Sequence, residues 1–373
     1  AEFRKLNLLT PDELPYPTAG GMTFDSLAPG DNVDRAVAAA DRAGFEARRR
    51  AAEARGKLLG FGLAYYMERT GGGPVEQAEI RITPNGACEI RVGTQSTGQG
   101  HETAWAQIVS DKLGLDWDSI TLLEGDSDLL KAGGGTGGSR SLIMAGRTLM
   151  LAADDIVEKA KPKAAERLEA AVEDIEFSAA EGGRFRIAGT DRSIRLIEIA
   201  TEMGGLDGAG GVDDREPTFP NGCHCAEVEI DPDTGRLTLT RYTVVDDFGK
   251  IVNPLLVTGQ VHGGLAQGAG QAMMEHARWD PDTGQPLTAS FMDYAMPRAG
   301  DSPLFDTQFN EHAPTPTNPL GVKGCGEAGA VGATPTITLA ALDALASAGA
   351  APVDTPLTPE TLWRALAAAR AAA

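Results

Sequence analysis

Cys225-Ala226-Glu227-Val228-Glu229-Ile230 runs through Asp231-Pro232-Asp233-Thr234-Gly235 into Leu237-Thr238-Leu239-Thr240-Arg241-Tyr242-Thr243-Val244-Val245-Asp246. Two β-rich runs flanking a turn that carries Asp, Pro and Gly read as the arms of a hairpin. An earlier hairpin spans 77–92 and turns at Thr83-Pro84-Asn85-Gly86, where Asn-Gly is a strong turn signal. Strands arriving in hairpin pairs argue for an α+β fold rather than a doubly wound parallel sheet. After each hairpin comes a helix with glycine and glutamine near its start. The first is His101–Leu113 behind the loop 93–100; the second, 254–275, carries Gln267-Gly268-Ala269-Gly270-Gln271. Two similar lobes of mostly antiparallel hairpin sheets with packed helices, facing one ligand, explain the recurrence. The expected division is 1–55 as connector and amphipathic helix, 56–205 as first lobe and 206–373 as second.

Around these hairpins the pattern predicts an extended connector over 1–32, one amphipathic helix over 34–55, strands at Leu58–Met67 and 120–124, and a long helix over 142–170. It also predicts a strand over 287–294 after a second Asp-Pro-Asp-Thr-Gly turn, a helix after Gly329 and a short one over 359–369.

Composition narrows the function. A net charge of −20 excludes nucleic-acid binding, which needs clustered cations to neutralise phosphates; Arg48-Arg49-Arg50 is too short a run to change this. No apolar run reaches the roughly 20 residues of a membrane helix, and the charged start Ala1-Glu2-Phe3-Arg4-Lys5 is no signal peptide. The first residue is not Met, so the chain reads as a fragment, a processed product or a truncated chain. Four cysteines make no disulfide framework, which points to a reducing cytoplasm. Cys223 and Cys225 flank His224, but on a strand the thiols share one face and the imidazole takes the other, with no further zinc ligands at suitable spacing.

Gly321-Val322-Lys323-Gly324-Cys325-Gly326-Glu327-Ala328-Gly329 sets one carboxylate among four glycines just before an apolar helix. Backbone amides at a helix N-terminus attract electron-rich groups, and a desolvated Glu327 there could act as a general base; the alternative is a turn whose Glu caps the helix. Three further loops carry related chemistry: Gly98-Gln99-Gly100; 133–141 with Thr136, Ser139, Arg140 and Ser141; and 263–270 with Gln267. Hydroxyls, carboxamides, a guanidinium and helix starts suit a phosphate-bearing polar heterocycle. Neither the P-loop nor the Rossmann fingerprint is present.

The motifs Arg4-Lys5-Leu6-Asn7-Leu8-Leu9, Thr97-Gly98-Gln99-Gly100-His101, Gly138-Ser139-Arg140-Ser141, Val245-Asp246-Asp247, Asn253-Pro254, His262-Gly263-Gly264, Ala266-Gln267-Gly268, Ala289-Ser290-Phe291-Met292-Asp293-Tyr294, Thr317-Asn318-Pro319-Leu320-Gly321-Val322-Lys323-Gly324 and Gly326-Glu327-Ala328-Gly329 occur in this order. By these the chain resembles, nearly end to end, the C-terminal half of the molybdopterin-binding large subunit of the xanthine dehydrogenase, aldehyde oxidase and carbon monoxide dehydrogenase family. The resemblance implies two molybdenum-cofactor-binding lobes, the second carrying Glu327 as the base beside molybdenum, with no direct protein ligand to the metal. It implies that Gly98, Gln99, Gly100, Thr136, Ser139, Arg140, Ser141 and Gln267 contact the molybdopterin, whose form as a cytosine dinucleotide is left open.

It further implies oxidation of an aldehyde, N-heterocycle or similar small substrate with water as oxygen source. Electrons then pass to 2Fe-2S clusters and FAD on partner subunits, and the N-terminal half of the large subunit is a partner too. Isolated from that half, the chain is expected to expose apolar faces around Trp105 and Met273-Met274 and to lack activity. The family's substrate-selecting loop lies in the other half, so the substrate is not named. Cys325 departs from the family's usual small apolar residue. Two other classes stand beside this reading: a non-catalytic molybdopterin-binding or assembly module, and an α+β binding protein that keeps only the fold. Metal analysis separates the last, and turnover with a dye acceptor separates the first two.

Overall fold

The computed structural model describes residues 1–213 and 216–372. In chain order the main elements are helices α1 (Pro29–Ala39) and α2 (Phe45–Glu53), strands β1 (Leu58–Met67), β2 (Glu76–Ile82) and β3 (Cys88–Val92), helix α3 (His101–Leu113), strand β4 (Ile120–Leu123) and helix α4 (Ser141–Leu168). They continue with β5 (Leu206–Val212), β6 (Asn221–Ile230), β7 (Leu237–Asp247), α5 (Pro254–Met273), β8 (Phe305–Phe309), α6 (Ala328–Ser347) and α7 (Pro359–Ala372). Both expected hairpins are present as antiparallel pairs, β2 with β3 and β6 with β7.

Two four-stranded sheets result, in the orders β5-β2-β3-β4 and β8-β7-β6-β1. Each has a hairpin at its centre. On one side a crossover helix, α3 or α5, returns the chain to a parallel edge strand, β4 beside β3 or β8 beside β7. On the other side an antiparallel strand closes the sheet, β5 on β2 and β1 on β6. The lobes therefore share one topology, but the second is circularly permuted: the strand that would follow α6 is supplied by β1, ahead of the first lobe. The boundaries expected at 56 and 206 are consequently not those of the sheets, since Leu58–Met67 belongs with the C-terminal sheet and Leu206–Val212 with the N-terminal one.

Long helices cover the sheets, α4 on β5 and β2, α6 on β1 and β6. Paired glycines let them approach. A Cβ on Gly208 or Gly210 of β5 would stand 2.2 or 2.1 Å from the α4 carbonyls of Ala152 and Thr148. On β1, Gly60 and Gly62 would meet the α6 carbonyls of Ala340 and Thr336 at 1.9 and 2.0 Å. The same device thus seats both helices. His224 also faces α6, where Gly332 leaves room for its ring, while Cys223 and Cys225 pack with α1 residues Val33 and Ala36 on the opposite face.

Several expectations change. The single helix over 34–55 is two helices, because Asp41 takes a left-handed φ of 49° and accepts from the Gly44 amide, so the chain turns. Residues 287–294 form no strand: beyond the Trp279–Pro286 bridge the segment turns on Ser290, whose hydroxyl meets Asp293, and Phe291 and Met292 stay exposed. The connector over 1–32 contains a short helix, Glu2–Lys5, and a two-stranded ribbon. Trp105 and Met273 are buried; the exposed large apolar side chains include Phe3, Leu6, Leu255, Phe291, Met292 and Leu304 instead. Among the described residues one helix, α6, is long and apolar enough to cross a membrane. It is mostly buried between α5 and the second sheet, as a core helix of a globular protein.

Candidate functional site

Four helices aim their N-termini at one cavity of about 130 Å³ between the lobes' sheets. Its wall includes His101, the first residue of α3; Ser141 and Leu142, opening α4; Leu256 and Val257 in the first turn of α5; and the segment Gly324-Cys325-Gly326 that leads into α6. Each N-terminus presents unpaired amides and the positive end of a helix dipole, so the cavity suits an anionic or electron-rich group. Asn253 caps α5 through the Leu256 amide at 3.1 Å, with Pro254 at its first position.

Glu327 is the residue before α6. Its side chain does not cap that helix; it is exposed rather than desolvated and accepts from Ser139 Oγ at 3.0 Å. The same hydroxyl accepts from the Glu327 amide at 3.1 Å. Ser139 holds a left-handed φ of 52°, rare for a non-glycine residue, and that turn brings its backbone onto Gly324. A Cβ on Gly324 would stand 2.4 Å from Ser139 O and 2.7 Å from Thr70 Cβ. The glycines beside Glu327 thus admit Ser139, rather than only baring amides to a ligand.

Gln99, Thr136, Ser139 and Ser141 line the cavity together. Thr136 Oγ1 donates to Gln95 O at 2.6 Å and lies 3.0 Å from Ser141 Oγ; the Gln99 amide reaches Thr136 at 3.4 Å and His101 Nε2 at 3.1 Å. Gly98 and Gly100 take positive φ of 100° and 82°, and Gly100 has no room for a Cβ against Leu256, 2.5 Å away. Two expected contacts stand elsewhere. Arg140 is buried and engaged with Glu76 at 2.8 Å and with the carbonyls of Gly72, Gly135 and Pro74, so it clamps the glycine loop to β2 instead of lining the cavity. Gln267 sits mid-helix on α5, exposed, two turns beyond the lining residue Gln260.

Lys323, for which the sequence suggests no role, is buried with Nζ 2.7 Å from both Asp247 Oδ2 and Ser26 O, and so anchors the motif. The Cys325 thiol is pushed up to about 12 by burial and stays protonated. His101 is lowered from its ordinary value by burial, against the opposing pull of Glu124, so its imidazole is neutral. Trp105 Nε1, on a residue of the cavity wall, is buried without a hydrogen-bond partner, while His101 Nδ1 and Glu124 Oε2 face each other at 3.6 Å. An unpaired buried donor on the wall of a cavity is what a site with a polar occupant leaves behind. Sequence reasoning did not single out Glu68, Glu76 or Gln260. Of these only Gln260 carried a signal, lying on the first turns of a helix that Asn253-Pro254 announces.

The molybdopterin cofactor-binding domain family matches residues 36–303. The chain belongs to this family. It is 34% identical, over 97% of its own length and 47% of the relative's, to the 6-hydroxypseudooxynicotine dehydrogenase complex subunit gamma of Paenarthrobacter nicotinovorans. It is 35% identical to the carbon monoxide dehydrogenase large chain of Afipia carboxidovorans, covering 98% of this chain and 48% of that one. Among solved structures, a Cu,Mo carbon monoxide dehydrogenase superposes with a TM-score of 0.92 at 33% identity, over 99% of this chain and 49% of its own. The chain spans about half the length of the relatives it matches. Those relatives bear out the expected family and the α+β fold.

Proposed function

We propose that this chain is the part of a molybdenum hydroxylase large subunit that holds one side of the molybdopterin and supplies the general base. The observation that carries this reading is the convergence of four helix N-termini on a cavity lined by Gly326, the residue before Glu327, and by Ser139, whose hydroxyl holds the Glu327 carboxylate. The residues fit the group: the wall offers neutral donors and amides to pterin and phosphate, and Trp105 Nε1 stands unpaired on it. Gly98, Gln99, Gly100, Thr136, Ser139 and Ser141 would hold it, in the nucleotide-free or cytosine dinucleotide form. Gln260 joins them, while Arg140 acts on the loop and Gln267 lies outside. When bound, the cofactor supplies the two-electron oxidation.

Glu327 accepts the proton that water-derived oxygen must lose before it reaches the substrate carbon. Ser139 keeps that carboxylate aimed at the cavity edge, and Leu142, Val252, Leu256 and Val257 form an apolar wall that limits competing water. The substrate class is an aldehyde, an N-heterocycle or a similarly small molecule. The N-terminal half of the large subunit, an iron–sulfur subunit and an FAD subunit complete the enzyme, in a reducing cytoplasm. Glu327→Gln in the assembled enzyme keeps shape but removes the acceptor. Turnover should fall at the upper end of the 10²–10⁴-fold attributed to general base catalysis, with molybdenum content unchanged. Turnover above about a tenth of wild type would exclude Glu327 as the base. Full molybdenum with no turnover of either substrate class in the wild-type assembly would favour a non-catalytic binding module.

A further inference from the structure

One titratable group at the site has no part in that account. Glu68 follows β1 directly, its amide donating to Pro220 O at 3.0 Å, so the strand fixes its position. Its carboxyl lies within hydrogen-bonding reach of both the Glu327 carboxyl and the Ser139 hydroxyl. Its Oε2 is buried and has no hydrogen-bond partner. Ser139 has one hydroxyl proton, already directed at Glu327 Oε2 at 3.0 Å. A single hydroxyl cannot satisfy two carboxylates at once. The other titratable groups facing Glu68 are Tyr66 and Cys325, both pushed up by burial and therefore neutral. The buried cations nearest in the chain's motifs are committed, Arg140 to Glu76 and Lys323 to Asp247.

Two carboxyls in contact, without a cation between them, retain one proton. Glu327 is exposed and Glu68 only partly so, and the proton belongs on the more buried partner. We propose that Glu68 is a positioning residue that keeps its proton and donates it to the Glu327 carboxylate, so that the pair, and not Glu327 alone, handles the proton taken up at the cavity edge. The inference rests on the reading of Glu327 as the base. In the resting pair one proton is shared; when Glu327 takes a second, both carboxyls are neutral, and loss of one proton to solvent restores the starting state. Burial first, and the Glu327 charge second, push the Glu68 carboxyl up to about 7.

Infrared difference spectra of the full chain, titrated from acid to alkaline pH, test this directly. The expected result is a protonated-carboxyl band that disappears with a midpoint near 7, that is missing in Glu68→Gln, and whose midpoint falls by about one unit or more in Glu327→Gln, where the neighbouring charge is gone. Absence of the band in wild type, its survival in Glu68→Gln, or an unmoved midpoint in Glu327→Gln would overturn the proposal, the last by showing that burial alone sets the titration. Glu327→Gln alters an exposed side chain and keeps Glu68, so that arm stays readable if Glu68→Gln fails to fold. The spectra need no cofactor, so a negative result here is separate from the turnover result that would remove Glu327 as the base.

Discussion

At Ser139 the backbone is left-handed, its carbonyl rests on Gly324 and its hydroxyl ties to both ends of Glu327. Glu327 is therefore aimed by a neighbour nearly two hundred residues earlier in the chain, and the contact exists only because position 324 has no side chain. Gly324→Ala would push a Cβ against Ser139 O and Thr70 Cβ, neither of which is the free end of a flexible side chain. Overpacking of this kind costs about 1–3 kcal/mol, and here the displaced group is the one that aims Glu327. The expected outcome is a fully folded but less stable chain, read by urea midpoint, with a drop in turnover of the assembled enzyme beyond what the lost stability explains. Unchanged turnover would separate Ser139 from the base. Glu327 was legible in the sequence because it stands alone among glycines. Glu68 and Glu76 were not: nothing around them marks them, and only the folded chain shows that Glu76 consumes Arg140.

Among the elements, the two long helices lie on strands that give up side chains to receive them. Gly60 and Gly62 on β1, and Gly208 and Gly210 on β5, are spaced by two and so share a face. That face is the one pressed on helix backbone. Gly62→Ala would set a methyl 2.0 Å from Thr336 O and 2.6 Å from Ala340 N, which forces α6 off the sheet. A loss of roughly 2–3 kcal/mol follows from overpacking at a backbone contact, measurable as a lower chemical denaturation midpoint; a change below about 0.5 kcal/mol, typical of surface substitutions, would mean that α6 shifts freely. The same glycines explain what the sequence concealed. The hairpins announced themselves by β-branched runs and turns, and both crossover helices by the glycine and glutamine near their starts. Leu206–Val212 contains three glycines, which lower strand propensity, so β5 carried no strand signal although packing makes it a full sheet partner.

Across the whole molecule the repeated topology was foreshadowed by the recurring hairpin-then-helix order, but the permutation was not. Strand pairing between Leu58–Met67 and Asn221–Ile230 joins segments far apart in the chain, and no local pattern encodes it. The permutation has a functional consequence: β1 ends at the second lobe's sheet and delivers Glu68 to Glu327. A carboxyl raised from 4.5 to about 7 in the folded chain makes global stability depend on pH. The folded state then holds that proton more tightly than the unfolded chain does. Its contribution is fully present below the unfolded value and is lost as pH rises through the folded one. Glu68 is not fully buried, and with solvent screening the difference is about 1–2 kcal/mol. Buried neutral His101 acts in the opposite sense, contributing above its ordinary value and losing that as pH falls, and the net charge of −20 adds self-repulsion at higher pH. Both are common to wild type and Glu68→Gln, so the comparison between the two isolates Glu68. Denaturant midpoints measured across the interval from 4.5 to about 7 should fall more steeply in wild type than in Glu68→Gln. Parallel curves would show that Glu68 titrates alike in the folded and unfolded chain and holds no proton for Glu327.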